Sequence, residues 1–431
     1  MVAPVPAQPP SPGYARYVLG VLFVVFVFNF VDRQILSILL VPIKEELQVS
    51  DTAMGFLTGI AFALFYTVAG IPIARFADTG NRRNVIVIGL VVWSAMTALS
   101  GVVRTFGQLA LARVGVGVGE AACSPPAHSL LADYFPPHRR ATALGIYSMG
   151  IYVGILLGFV LGGWVNQLFG WRQAFLVVGL PGLALAVVVR LTVREPARGT
   201  WELASAGVPV ESTREVLRFV WALRSFRHMA FAAALHSFAG YGAATWGPAF
   251  LIRVHGMETG AIGTWLGLIT GIGGASGALL GGVLADRLGT RDRRWSLWIP
   301  AIASVVEVPF WLAFLLLPEP VSALLWFIPA VIAGAMWLGP VLAMTQGLVR
   351  PHMRALASAL LLFVINLIGL GMGPQVVGIL NDLLAGTFGT AAVRYSLLLV
   401  AAMNLWAATH FALATRSLRA DLLVQGNAQA A

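Results

Sequence analysis

Long apolar runs alternate with short charged breaks along the whole chain. Residues 16–40, 52–76, 84–103, 107–131, 141–167, 172–193, 227–252, 260–284, 295–317, 322–347, 355–383 and 392–415 are each dominated by apolar side chains. A helix needs about 17–25 such residues to cross the hydrocarbon core of a bilayer. The pattern predicts an all-α polytopic membrane protein with twelve spans, numbered here in chain order. Composition agrees: 58% of the 431 residues are hydrophobic and 11% are charged, against about 25% charged in a soluble domain.

The breaks predict organisation. The longest runs from about Arg194 to Arg227 and divides the spans six and six. This gives a Pro-rich tail over 1–13, a first bundle over 14–194, a cytoplasmic linker over 195–226, a second bundle over 227–416 and a C-terminal tail over 417–431. The first 13 residues lack a basic start, so they read as a disordered tail and not a cleaved leader. In the linker, Val216, Leu217, Val220 and Leu223 share one side of a helical pattern, as in a helix lying along a membrane surface.

The net charge of +10 reflects topology. Alternate loops hold nearly all the Arg, while the intervening loops carry about one cation each: Lys44, Arg104, Arg172, Arg253 and Arg394. By the positive-inside rule both termini are cytoplasmic, and no nucleic-acid partner is implied. Arg strongly outnumbers Lys, which points to a GC-rich bacterial genome and an inner membrane. The single cysteine, Cys123, excludes an internal disulfide and a Cys-rich metal site. No metal cluster, phosphate loop or nucleophile–base pair stands out, so an enzyme is not expected. "GVGVGE" superficially matches a dinucleotide loop but lies inside a span with no strand before it; its glycines are helix-packing residues.

The halves echo each other. "GIPIARFADTGNRR" follows span 2 and "GGVLADRLGTRDRR" follows span 8. "RRATALG" follows span 4 and "MRALASA" span 10, aligning Arg140 with Arg354 and Ala141 with Ala355. Duplication at half length indicates a transporter built from two pseudo-symmetric six-helix bundles.

These duplicated loops resemble the signature of the major facilitator superfamily. "RVGVGVG", "DYFPPHRRA", "GILLGFVLGGW" and "REPARG" support the same resemblance, which covers the whole chain. "NFVDRQ", "ARVGVGVGEAACSPPAHSLLADYF" and "GAATWGPAFL" look like its Spinster branch, associated with lysophospholipids and sphingosine-phosphate-type lipids. Phe159 stands where antiporters of the superfamily carry Pro, so that motif does not imply antiport. The resemblance implies the major facilitator fold, with spans 1 and 4 lining a central cavity.

Four ionisable residues fall inside spans 1 and 4: Asp32, Arg33, Arg113 and Glu120. A charge at mid-membrane costs roughly 2.5–3.5 kcal/mol or more. Arg113 and Glu120, seven residues apart, share a helix face. Asp32 and Arg33 are rotated about 100° from each other, so they must find partners separately. Cross-pairing is expected: Asp32 with Arg113, and Arg33 or water with Glu120. One reading is a permanent ion-pair lock between the two helices. The other makes Asp32 and Glu120 proton-coupling acids, with Arg33 and Arg113 as counter-ions or anchors for an anionic head group. Glu307, also within a span, is expected to make an inter-helix hydrogen bond or stay neutral.

Gate residues follow from the duplicated loops: Asp78, Arg82, Arg83 and Arg140 with Asp133 as the partner of Arg82 or Arg83, and Asp286 with Arg287 in the second half. Thr79 and Asn81 replace an Arg and a Gly of the family pattern, which predicts a thinner charge network in the first half. Candidate pocket residues are Phe62, Tyr66, Tyr147, His236, Trp246, Trp265, Met336 and Trp337, although such aromatic stripes also serve packing, and His236 also reads as a hydrogen-bonded structural residue. The expectation is a monomeric, proton-coupled carrier of a lysophospholipid or related anionic amphipath, without a cofactor and driven by the proton gradient. A symporter of a small organic anion is the alternative, and a receptor or scaffold a third.

Overall fold

The computed structural model describes residues 10–201, 213–350 and 353–430. Residues 1–9 of the expected tail fall outside them, as does the middle of the linker; Pro12 already begins a helix. Among the described residues every regular element is helical.

The first spans are α1 (Pro12–Leu47), α2 (Asp51–Thr79) and α3 (Arg82–Ser100). Span 4 is split into α4 (Phe106–Glu120) and α5 (Ser124–Tyr134). Next come α6 (Pro137–Phe169) and α7 (Trp171–Thr192). The linker contributes the short α8 (Thr213–Ala222). The second half holds α9 (Arg224–His255), α10 (Thr259–Gly289, with a π segment) and α11 (Trp295–Leu316). Span 10 is split into α12 (Pro320–Gly334) and α13 (Leu338–Gly347). Span 11 runs through α14 (Arg354–Val364), a π segment and α15 (Gly373–Phe388); span 12 is α16 (Ala392–Ala401) and α17 (Met403–Ala430). Each predicted span has its helical arm. The 36 residues of α1 extend about 54 Å at 1.5 Å per residue, well beyond a hydrocarbon core of about 30 Å.

The chain divides into two compact units. Unit 1 comprises Met1–Ile35 and Leu64–Val208. In it α3 packs against α4 and α7, burying Trp93 completely. The backbones of α3 and α4 approach closely: a Cβ on Gly119 would lie 2.7 Å from the amide nitrogen of Trp93 and 2.9 Å from the Gly89 carbonyl oxygen. A side chain there would force the helices apart. The small residues therefore permit the packing on which membrane helices depend.

Unit 2 comprises Leu36–Ala63 and Pro209–Ala431. The end of α1 and the start of α2 thus belong with the second half, where the start of α2 lies against α15. The linker helix α8 forms as its spacing predicts. Its Val216 and Val220 are buried in a core with Phe226, Met344, Leu348 and Leu418, while Arg214 and Arg218 stay exposed.

Spans 4 and 10 break for the same reason. Pro125 and Pro126 follow the Ala121–Cys123 turn, and Pro340 follows an irregular stretch at 335–337. Proline lacks an N–H, and its ring collides with the carbonyl four residues earlier. Each helix therefore stops upstream of it, at Glu120 and at Gly334.

Candidate functional site

The broken end of α4 carries the centre of the site. Glu120 is 1% exposed, and its Oε2 accepts from Nε of Arg33 on α1 at 2.6 Å. The Arg33 guanidinium also lies over the rings of Tyr66, 4.7 Å away, and Phe30, 5.1 Å away. Oε1 of Glu120 has no hydrogen-bond partner. Asp32, also 1% exposed, interacts electrostatically with Arg113 and Glu120, and its Oδ1 likewise lacks a hydrogen-bond partner. Arg113 is 2% exposed and interacts with both acids.

Sequence reasoning expected cross-pairing because neighbours on a helix cannot face the same way. The structure forms the Arg33–Glu120 pair and places Asp32 in the field of Arg113. Two acids and two guanidinium groups occupy one buried cluster, so their formal charges cancel. One oxygen of each acid, Oδ1 of Asp32 and Oε1 of Glu120, is buried without a well-formed hydrogen bond, which is costly, with the Thr97 and Asn29 side chains as neighbours of Asp32 and Glu120 respectively.

A second cluster joins the loop after α2 to the segment after α7. Arg82, 1% exposed, donates to Asp133 at 2.5 Å, to Glu195 at 2.7 Å, and to the Ser129 hydroxyl and Pro196 carbonyl. Arg83 donates its backbone N–H to Glu195 at 3.0 Å and its guanidinium to Asn84 and the Val193 carbonyl. Asp133 also accepts from the Gly199 amide. Arg198 reaches back to the carbonyls of Ala77 and Gly80 at 2.7 and 2.6 Å. The network is therefore denser than the Thr79 and Asn81 substitutions suggested. Glu195 and Arg198 of "REPARG" supply the missing contacts. Arg140 donates to the Phe135 carbonyl, and Asp78 is exposed at the end of α2.

In unit 2, Asp286 and Arg287 are exposed, and the ordered charge cluster forms further along that loop. Asp292 accepts from Arg294 and Arg419, at 2.8 and 2.9 Å. These hydrogen bonds, first of all that from the Arg294 side chain, hold its carboxyl well below the usual range.

Another cluster was missed because its members looked like lone loop charges. Asp51, 2% exposed, takes Lys44 at 2.5 Å and both Nη atoms of Arg253 at 2.5 and 2.9 Å. Asp382 on α15 accepts from the backbone amides of Asp51 and Thr52, at 3.1 and 2.7 Å. It thereby satisfies open donors at the start of α2 and ties that helix to α15.

The aromatic candidates divide. Tyr66 contacts Arg33 in the charged site. Tyr147 is fully buried, its ring stacked on Phe26 at 4.3 Å. Trp246 is fully buried and donates to the Pro374 carbonyl at 2.9 Å; Phe62 is 2% exposed. These three side chains are buried in this structure. His236 is buried too, hydrogen-bonded to the Ser304 hydroxyl and the Gly334 carbonyl, with Oε1 of Glu307 3.3 Å from its Nδ1 but making no hydrogen bond. His236 thus has the hydrogen bonds of the structural reading, while the inter-helix hydrogen bond expected for Glu307 is not formed at Oε1. Trp265, Met336 and Trp337 remain partly exposed.

A helical membrane protein with duplicated halves, mid-helix breaks and a charge-balanced intramembrane cluster is built as a secondary transporter. The profile of the Major Facilitator Superfamily matches residues 22–374, and the chain belongs to that family. It is 38% identical over 414 residues to an MFS-type efflux pump of Mycolicibacterium smegmatis, covering 96% of this chain and 95% of the relative. It is 24% identical to the sphingosine-1-phosphate transporter SPNS2 of Danio rerio, over 87% of this chain and 77% of that protein. Among solved structures, a bacterial homolog of the human lysosomal transporter Spinster, inward-facing and unoccupied, superposes with a TM-score of 0.88 and 31% identity. That match covers 96% of this chain and 99% of the neighbour. The resemblance to the Spinster branch thus holds in sequence and in fold.

Proposed function

We propose that this integral membrane protein is a proton-coupled secondary transporter of a lysophospholipid or related anionic amphipath, working by alternating access in a bacterial inner membrane with both termini cytoplasmic. The observation that carries the reading is the Glu120 carboxyl. One oxygen is held by Arg33 at 2.6 Å and the other is buried without a donor. Arg33 is the shared element. Its planar fork suits a phosphate, and an anionic head group that takes Arg33 deprives Glu120 of its counter-charge. A proton then replaces the guanidinium on the carboxyl, so binding of the anion and of the proton are linked. Asp32 and Arg113 stand as the second acid–base pair of the same exchange.

The gate roles follow from the other clusters. Arg82, Asp133 and Glu195, with Asp78, Arg83 and Arg140 around them, stiffen the cytoplasmic end of unit 1. Asp286 and Arg287 take the equivalent place in unit 2, and Asp51 with Arg253 and Lys44 holds the opposite end. The amphipath is supported by the apolar character of spans 7, 8, 10 and 11 and by the similarity to the sphingosine-1-phosphate transporter SPNS2. The carrier acts as a monomer, with the proton gradient as its energy source and no cofactor.

The test is uptake into proteoliposomes after a pH jump, with labelled lysophospholipid and a small hydroxy-acid anion in parallel. Gradient-driven movement of the lysolipid, with its binding weakened in Arg33→Ala, is expected. Transport of the small anion alone would overturn the amphipath reading.

A further inference from the structure

The breaks in spans 4 and 10 are equivalent positions of the internal repeat. Arg140 and Arg354, aligned by the loops that follow these spans, are 214 residues apart; so are Pro126 and Pro340, and so are Glu120 and Gly334. In unit 1 the broken helix end meets the first helix of that half at the Arg33–Glu120 pair. In unit 2 the broken end of α12 meets α9, the first span of the second half, at His236.

The hydrogen bonds at His236 settle where its protons go. Nε2 lies 2.9 Å from the Gly334 carbonyl oxygen. A carbonyl only accepts, so Nε2 carries a hydrogen. Nδ1 faces the Ser304 hydroxyl at 3.1 Å and Oε1 of Glu307 at 3.3 Å. Without a further proton, two electron-rich atoms lie 3.3 Å apart and Oε1 is buried with no hydrogen-bond partner. One proton on either atom removes that repulsion. The pair is then neutral overall, either as imidazole and carboxylic acid or as imidazolium and carboxylate.

The surroundings favour a single proton there. His236 is 4% exposed and Glu307 3%. From α11 the neighbours are Ser304 and the Trp311 indole; from the α12–α13 break they are the Gly334 carbonyl and Trp337, whose ring centroid is 5.3 Å from that of His236. Among the described residues no Arg or Lys interacts with either member. No fixed cation is there to neutralise the carboxylate, so a proton is its counter-charge. Two features of the break adapt it to a charge. The Gly334 carbonyl, at a helix C-terminus, is free of an intrahelical donor and carries the negative end of the dipole. In addition, Gly334 leaves room for the acid, since a Cβ there would lie 2.6 Å from Oε2 of Glu307. Unwound carbonyls at half-helix ends are where transporters place coupling ions.

We propose that His236 and Glu307 form a second proton-binding site, the counterpart in unit 2 of the Glu120 cluster in unit 1, the pair taking up one proton at Nδ1 or Oε1. The proton enters from water and returns to water; no other bond changes. The site rests on the reading of the protein as proton-coupled, but it is indifferent to what the protein carries.

Infrared difference spectroscopy of the purified full-length protein, stepped in pH without substrate, reads the site directly. The expected result is a carboxylic-acid C=O band that titrates, disappears in Glu307→Gln, and becomes pH-independent in His236→Asn. Ser304→Ala, a milder change, should shift the titration midpoint without removing the band. A Glu307 band that stays constant across the pH range in which the protein is folded would overturn the proposal and leave a permanently neutral structural acid. So would a pH-difference spectrum of Glu307→Gln identical to that of wild type. Because no substrate is present, failure here is distinct from failure of the lysolipid assay.

Discussion

Arg82→Ala tests how the end of unit 1 between α2 and α3 is held. The guanidinium is 2% exposed and reaches two carboxylates, a hydroxyl and backbone carbonyls. Truncation leaves Asp133 with the Gly199 amide and Glu195 with the Arg83 amide. Two negative charges then face each other across the emptied position without their cation. Removing one partner of a buried pair costs about 3–5 kcal/mol, most of it for the stranded charge. At about 2–4 °C per kcal/mol for a unit of this size, the midpoint should fall by roughly 10 °C. Arg82→Lys keeps the charge but lacks the planar fork, so it should recover only part of the loss. The assay is thermal unfolding in detergent followed by intrinsic fluorescence, with Asp133→Asn in the Arg82→Ala background as the coupling control. That second change should recover stability, because it removes one stranded charge. An Arg82→Ala protein that melts within about 1 °C of wild type would refute the reasoning, since a shift that small belongs to exposed ion pairs.

Three further outcomes are expected. Gly119→Ala places a methyl group against the Trp93 backbone, 2.7 Å from its nitrogen, and should destabilise by about 1–3 kcal/mol as overpacking does; a melting curve unchanged from wild type would contradict the close α3–α4 contact. Asp51→Asn weakens the hold on Lys44 and Arg253 and should lower the midpoint by several degrees, with Glu45→Gln, an acid outside that cluster, as the unaffected control. Asp292 has a carboxyl depressed by Arg294 and Arg419. Its contribution is therefore present above the unfolded value of about 3.9 and lost as pH falls through the lower folded one. Asp292→Asn should flatten the acid limb of the stability profile slightly, and added salt should weaken the difference because the group is partly exposed.

The spans were legible because lipid forces a long apolar signature on every helix, and the duplicated loops after spans 2 and 8 gave the two-fold organisation. The pairing of Arg33 with Glu120 was legible too: the 100° step between Asp32 and Arg33 forces separate partners, and few candidates lie at matching depth. Other contacts left no local trace. Glu195 lies four spans after Arg82 in the chain, and only the coincidence of an acid in "REPARG" with the double Arg after α2 pointed to it. Asp51 and Arg253 looked like ordinary loop charges because nothing in either loop encodes the other. The aromatic positions were ambiguous for a different reason. Tyr147 and Trp246 have the spacing of a cavity stripe, but helix spacing reports only a face, and a face can meet a neighbour as easily as a cavity. Their burial comes from residues far away in sequence.

Proton movement during transport is the most direct measure of the central claim. Proteoliposomes containing wild type or Glu120→Gln, loaded with a pH-sensitive dye and given labelled lysophospholipid, report lipid and proton flux together. The account predicts that wild type moves protons with the lipid and accumulates it under an imposed gradient, while Glu120→Gln equilibrates the lipid without moving protons. Equal proton flux in the two proteins, or lipid movement in wild type that ignores the gradient, would contradict it and leave the Arg33–Glu120 pair as a structural clasp between α1 and α4.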